Sequence, residues 1–123
     1  MARYPGLTLR VLADEFPAMG PGKAALVAQI ERTGSISAAA REMGMSYRRA
    51  WQLVEALNAS FTEPVVLTAV GGRRGGGAAV TPFGKRLLEH YHAMESKATA
   101  AIAPDLKQFT KYLRKSASRG NSR

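Results

Sequence analysis

The chain has 123 residues, room for one domain with a real core and little for a second. Eighteen Lys and Arg against nine Asp and Glu give a net charge of +9, an excess that favours a polyanionic partner: nucleic acid or an anionic membrane face. Cysteine is absent, which excludes disulfides and thiolate metal sites, and no apolar run approaches the roughly 18 to 20 residues of a membrane helix, so no membrane partner and a cytoplasmic location are expected.

Leu7 to Val11 alternates apolar and other residues, the period of a half-buried first strand. That apolar stretch is not a signal peptide, since Arg10 breaks it and Asp14 and Glu15 stop it. After the punctuation from Pro17 to Gly22, Ala24, Leu26, Val27, Ala28 and Ile30 form an apolar helical stripe that ends at Gly34, a good C-terminal cap. Ser37 is then the expected N-cap of a short alanine-rich helix over 38–43, closed by Gly44. Ser46 caps the next, in which Ala50, Leu53, Val54, Leu57 and Phe61 share one face.

Two short helices joined by a glycine-containing turn outline a helix-turn-helix, with an ordinary helical hairpin as the plainer reading. The opposite face of the second helix favours the former. At about 100° per residue, Arg48, Gln52, Glu55 and Ala59 lie away from the apolar stripe, with Arg49 beside them. Arg pairs bidentately with guanine and Gln with adenine, and a recognition helix enters the major groove with its N-terminal turn foremost. Tyr47, Arg48, Arg49 and Gln52 are therefore preferred as DNA contacts over Glu55 and Asn58, although Arg48 could serve a phosphate instead of a base. Trp51 reads as a packing residue. Ser35, Ser37 and Ser46 could donate to phosphates at the helix starts, while capping alone explains Ser37 and Ser46.

Val65 to Val70 and Ala78 to Thr81 read as two strands around the tip Gly71-Gly-Arg-Arg-Gly-Gly-Gly77. Following a recognition helix, such a hairpin is a wing, and Arg73 and Arg74 could reach phosphates or the minor groove; the alternative is a solvated loop tip. These glycines fit neither G-x-G-x-x-G nor the Walker spacing, which excludes a nucleotide-phosphate loop.

Thr81-Pro82 starts a long helix with Leu87, Tyr91, Met94, Ala98 and Ala101 at alternating spacings of four and three. Around Pro104, expected to kink or restart the helix, Ile102, Leu106, Phe109 and Leu113 repeat that rhythm one residue out of step. The two stripes exceed what a small wing can cover. A homodimer seam through Leu87, Tyr91, Met94, Ala98, Ile102, Leu106 and Phe109 is expected, with intrachain packing as its rival. His90 and His92, at i and i+2, point to different faces and make no metal pair; no nucleophile or ligand set indicates an enzyme. From Lys107 to Arg123 there are six basic residues and no acid. The expected organisation is a mainly α winged helix-turn-helix over 1–82, a dimerisation helix of the same domain over 83–115 and a basic tail over 116–123.

Four stretches carry a family resemblance: Gly34-Ser-Ile-Ser37, Gly44-Met-Ser-Tyr-Arg-Arg-Ala-Trp51, the glycine-rich wing with Ala78 and Val80, and Thr81-Pro-Phe-Gly-Lys-Arg-Leu87. On these the chain resembles, nearly end to end, the N-terminal DNA-binding domain of the ModE-type molybdate-responsive regulators, and more distantly LysR-type winged helices. The resemblance implies an N-terminal strand, a winged helix-turn-helix and a long dimerising helix, with DNA contact at Tyr47, Arg48, Arg49 and the wing arginines. Full-length ModE-type regulators continue into small β-barrel domains that bind molybdate, and only the tail from Ser116 to Ser122 has a likeness to the start of those barrels. No cofactor is therefore expected, molybdate included. The expected function is transcription regulation, as a repressor, by a homodimer on palindromic duplex DNA; the alternatives are a non-specific or architectural nucleic-acid binder and a protein-interaction module.

Overall fold

A computed structural model describes residues 6–69 and 77–114. The expected strand over Leu7 to Val11 is displaced. Leu7 and Leu9 are half-buried and Thr8 exposed, so the alternation is real, but this segment is not part of a ladder. It lies against the final helix, where Tyr91 Oη donates to the Leu9 carbonyl at 2.6 Å. Pairing begins later, between β1 (Val11–Ala13) and β2 (Phe16–Met19), an antiparallel hairpin in register Leu12↔Pro17 and Ala13↔Phe16. Asp14 sits at its tip with φ 55°, a conformation that its short polar side chain tolerates.

Helix α1 (Pro21–Thr33) starts with proline at its first turn, where the missing N–H has no intrahelical partner to lose. Helix α2 (Ile36–Met43) and helix α3 (Tyr47–Ser60) follow. Gly34 and Gly44 terminate α1 and α2 in left-handed conformation, with φ 70° and 68°. Their N–H groups bond back to Ile30 O and Arg41 O. A side chain at either position would strain the sharp exits that set three consecutive helices across one another.

The wing is β3 (Val66–Thr68) paired antiparallel with β4 (Ala78–Val80), in register Val66↔Val80 and Thr68↔Ala78. Arg73, Arg74 and the rest of the glycine-rich tip lie outside the described residues, as does the basic tail. Helix α4 (Pro82–Thr110) is capped by Thr81, whose Oγ1 accepts from Gly84 N at 2.8 Å. It does not restart at Pro104, which sits inside it. Pro104 is exposed, so the carbonyl deprived of a donor faces water rather than the core.

The core gathers Leu26, Val27 and Ile30 from α1, Ala39 and Ala40 from α2, and Ala50, Val54 and Leu57 from α3. Val65, Val66 and Val80 close it from the wing, and Leu88 and Tyr91 from α4. Alanine is the common residue where α2 meets α1 and α3, because a short side chain lets backbones approach closely while still burying apolar surface. The architecture is a mainly α winged helix-turn-helix. No helix among the described residues is long and apolar enough to cross a membrane.

Candidate nucleic-acid interface

Two caps and one turn fix the orientation of α3. Ser46 Oγ accepts from Arg49 N at 3.0 Å, as its position predicts. The cap of α2 is Ser35, not Ser37: Ser35 Oγ accepts from Ala38 N at 3.0 Å, and the helix begins two residues earlier than expected. The cause is the preceding corner. Thr33 Oγ1 accepts from Ser35 N and donates to Ser35 O at 3.0 Å, holding Ser35 extended, and Ile36 then enters the helix as a buried core residue. Ser37 is left exposed, its Oγ 3.2 Å from that of Ser35. Ser35→Ala is thus expected to cost about 1 kcal/mol of stability and Ser37→Ala under about half of that, in the range for a lost cap and a surface change. Urea unfolding ranks the two variants, and a larger loss at Ser37 would contradict the cap.

The leading turn of α3 stands in solvent. Ser46, Tyr47, Arg48, Arg49 and Gln52 are all exposed, while Ala50, Val54 and Leu57 on the same helix are buried. Tyr47 and Trp51 meet edge to face, 6.3 Å between centroids, and Trp51 Nε1 donates to the Tyr47 hydroxyl. Trp51 is half-buried against the core, so the pair pins the tyrosine ring to the helix flank while Tyr47 stays 52% exposed. Gln52 and Arg48 lie one helical turn apart on this face.

Carboxylates of α1 and α2 are paired away from this turn, and Glu55 stands exposed two turns along α3 from Arg48. Glu42 pairs with Arg32 at 3.5 Å and Glu31 with Lys85 at 3.8 Å, both exposed and worth little in stability. Burial, and secondarily the positive charge of Arg49, push the Lys23 ammonium below its usual lysine pKa. Lys23, Arg48 and Arg49, beside and within the start of α3, have no acidic partner among the described residues.

The wing is tied to this unit at two places. Ala78 N donates to Gly34 O at 2.9 Å, joining β4 to the corner between α1 and α2. Asn58, passed over in favour of earlier positions on α3, proves to be a structural bridge: its Oδ1 accepts from Val65 N at 2.8 Å and Val66 N at 3.1 Å, and its Nδ2 donates to Val66 O at 2.9 Å. A polar residue recurring on a helix flank seven residues before a strand is a weak signal, and nothing in the spacing identifies the bond.

The dimer stripe divides. Tyr91 is 2% exposed and its hydroxyl is bonded to Leu9, so this expected seam residue is a core residue of its own chain. Heptad spacing does not distinguish an intrachain neighbour from a partner. Leu87 is half-buried against the same core. Ala98, Ile102 and Leu106 are half-buried, and Met94 and Phe109 are 43% and 63% exposed.

Comparison with known proteins places this geometry. The model of the bacterial regulatory helix-turn-helix proteins of the lysR family matches residues 23–85, slightly over half of the chain. Among curated relatives, the molybdenum-pterin-binding protein MopB of Rhodobacter capsulatus is 50% identical over 95 residues, 77% of this chain and 34% of its own length. The molybdenum transport protein ModE of Azotobacter vinelandii is 36% identical over 89 residues, 72% of this chain and 33% of its length. The DNA-binding transcriptional dual regulator ModE of Escherichia coli is 34% identical over 102 residues, 80% of this chain and 38% of its length. This chain spans about a third of the length of these relatives. The matches are to the N-terminal helix-turn-helix of the ModE group, and to regulators rather than enzymes. The chain belongs to the lysR family of bacterial regulatory helix-turn-helix proteins.

Proposed function

We propose that this chain binds palindromic duplex DNA as a homodimer in the cytoplasm and represses transcription by occupying a promoter. Helix α3 enters the major groove, Arg48 and Gln52 read base edges, Tyr47 and Arg49 flank them, and Ser35, Ser37 and Ser46 approach phosphates at the helix starts. Arg73 and Arg74 extend the contact from the wing. The observation that carries this reading is the exposed, basic and amide-bearing leading turn of α3, held rigid by the Ser46 cap and by its own buried face. The relative from Escherichia coli is named as a DNA-binding regulator, which supports the same role here. Dimerisation is assigned to the outward residues of α4, Met94, Ala98, Ile102, Leu106 and Phe109, with Leu113 beyond the helix end. DNA binding by these residues requires no molybdate.

Selection from random duplexes with and without molybdate, followed by binding of Arg48→Ala to the recovered site, tests the proposal. A recurring palindrome is expected, unchanged by molybdate, and Arg48→Ala should lose about 1 to 3 kcal/mol and relax base preference at one position of each half-site. Undiminished binding by Arg48→Ala would remove α3 from the groove. The charge of +9 favours a second reading, a non-specific or architectural binder, and that one predicts no recurring motif from the same selection.

A further inference from the structure

A cleft of about 280 Å³ opens between the end of β2, the start of α1 and the leading turn of α3. Arg10, Lys23 and Arg49 reach it from three separate stretches of chain, over an apolar floor that includes Met43, Met45 and Leu53. No carboxylate lines it, and none of the three cations has an acidic partner among the described residues. Two of them are positioned. Lys23 Nζ donates to Pro17 O at 2.7 Å, and the Arg10 stem lies across Gly20, close enough that a Cβ there would stand 3.2 Å from Arg10 Cγ.

Holding like charges together over an apolar surface is unfavourable until an anion joins them; the Lys23 ammonium is destabilised first by its burial and second by the charge of Arg49. The cleft is therefore better suited to an oxyanion than an open cationic surface is, because the apolar floor reduces competing solvation. Arginine supplies paired donors suited to phosphate and lysine a point charge. Arg49 also belongs to the turn of α3 that faces outward, so whatever occupies the cleft lies at the margin of the surface presented to DNA.

We propose that this cleft is a phosphate site that seats one backbone phosphodiester of the DNA strand bordering the groove, with Arg10 and Lys23 as contacts outside the helix-turn-helix. The inference rests on the reading of α3 as the groove-entering helix. It adds the N-terminal hairpin to the footprint and gives α3 a fixed depth of insertion, since a phosphate clamp sets register while carrying no sequence information.

The test compares the full chain with an Arg10→Gln/Lys23→Gln variant on the selected duplex between about 50 and about 200 mM salt. Loss of one phosphate contact per protomer, two per dimer, should make the slope of log K against log salt shallower by about 1.8, with the preferred sequence unchanged. A merely structural role would lower affinity without moving the slope. The charge-preserving variant Arg10→Lys/Lys23→Arg should restore it. Ethylation interference on the DNA locates the same contact: one flanking phosphate of each half-site should be sensitive with the unaltered chain and lose that sensitivity with the Arg10→Gln/Lys23→Gln variant, while phosphates met by the wing and the helix starts stay sensitive with both. Titration with inorganic phosphate, followed by phosphorus NMR, separates the sources. Saturable binding of free phosphate combined with an unchanged DNA slope would overturn the placement on DNA, as would an unchanged slope alone in a folded variant or no sensitive flanking phosphate. If Arg48→Ala relaxes base preference while the cleft variant changes nothing, the clamp falls and the groove reading stands; if neither variant alters binding, the groove reading falls with it.

Discussion

Replacing Gly84 by alanine is expected to destabilise the fold by about 3 kcal/mol, at the upper end for adding one methyl group to a packed core. Gly84 is the third residue of α4, where alanine by helix propensity alone would stabilise by about 1 kcal/mol. Packing reverses the sign. A Cβ at this position would stand 2.5 Å from Val65 O, 2.8 Å from Val80 Cγ1 and 3.1 Å from Val65 Cγ1. The nearest of these is backbone and is itself committed, since Val65 O accepts from Thr81 N at 3.0 Å while Thr81 Oγ1 donates to Pro64 O at 2.7 Å. Moving that carbonyl aside pulls on the cap of α4 and on the wing together. Urea unfolding followed by far-UV circular dichroism gives the loss directly. Stability equal to that of the unaltered chain would show that the helix does not approach β3 this closely.

What the sequence disclosed depended on whether a feature was local. Gly34, Gly44 and Ser46 mark their helix ends because each satisfies backbone groups within four residues, and residue type alone reports that. Thr81-Pro82 is legible for the same reason. Choosing between Ser35 and Ser37 required the conformation of the corner, which Thr33 sets through two hydrogen bonds that no periodicity encodes. The β1–β2 hairpin escaped notice because its strands do not alternate: Val11, Leu12, Ala13 and Phe16 are all exposed, and Pro17 interrupts the second strand. The outward face of α3 was readable, since burial of Ala50, Val54 and Leu57 follows helical spacing. The cationic cleft was not, because Arg10, Lys23 and Arg49 come together only in three dimensions. Tyr91 shows the converse limit: its spacing suits a seam, yet its hydroxyl is taken by a carbonyl 82 residues away.

Asn58→Ala is expected to cost about 3 kcal/mol, and to do so by uncoupling the wing from the recognition helix. Ala69 N donates to Gly77 O and Thr81 N to Val65 O, which places the ladder bonds on the odd-numbered residues of β3. Val66 therefore turns its N–H and C=O away from β4, at a sheet edge with no further strand beside it among the described residues. The Asn58 amide meets both, and takes Val65 N as well. Val65 and Val66 are buried, so truncation leaves two donors and an acceptor poorly supplied with water, each worth about 1 to 3 kcal/mol and not additive. Asn58→Asp separates the parts of this effect. It keeps the acceptor for the two N–H groups but sets a carboxylate against the Val66 carbonyl, so it should fall between the unaltered chain and Asn58→Ala. On the proposed reading of α3, the same alanine variant should weaken DNA binding across all sequences while the motif it selects stays the same, because the wing loses its fixed angle to α3 and the leading turn of α3 keeps its cap. Unfolding curves and binding to the selected duplex and to an unrelated one provide both readouts. A variant as stable as the unaltered chain would mean that the wing is held by the Gly34 contact and the core alone.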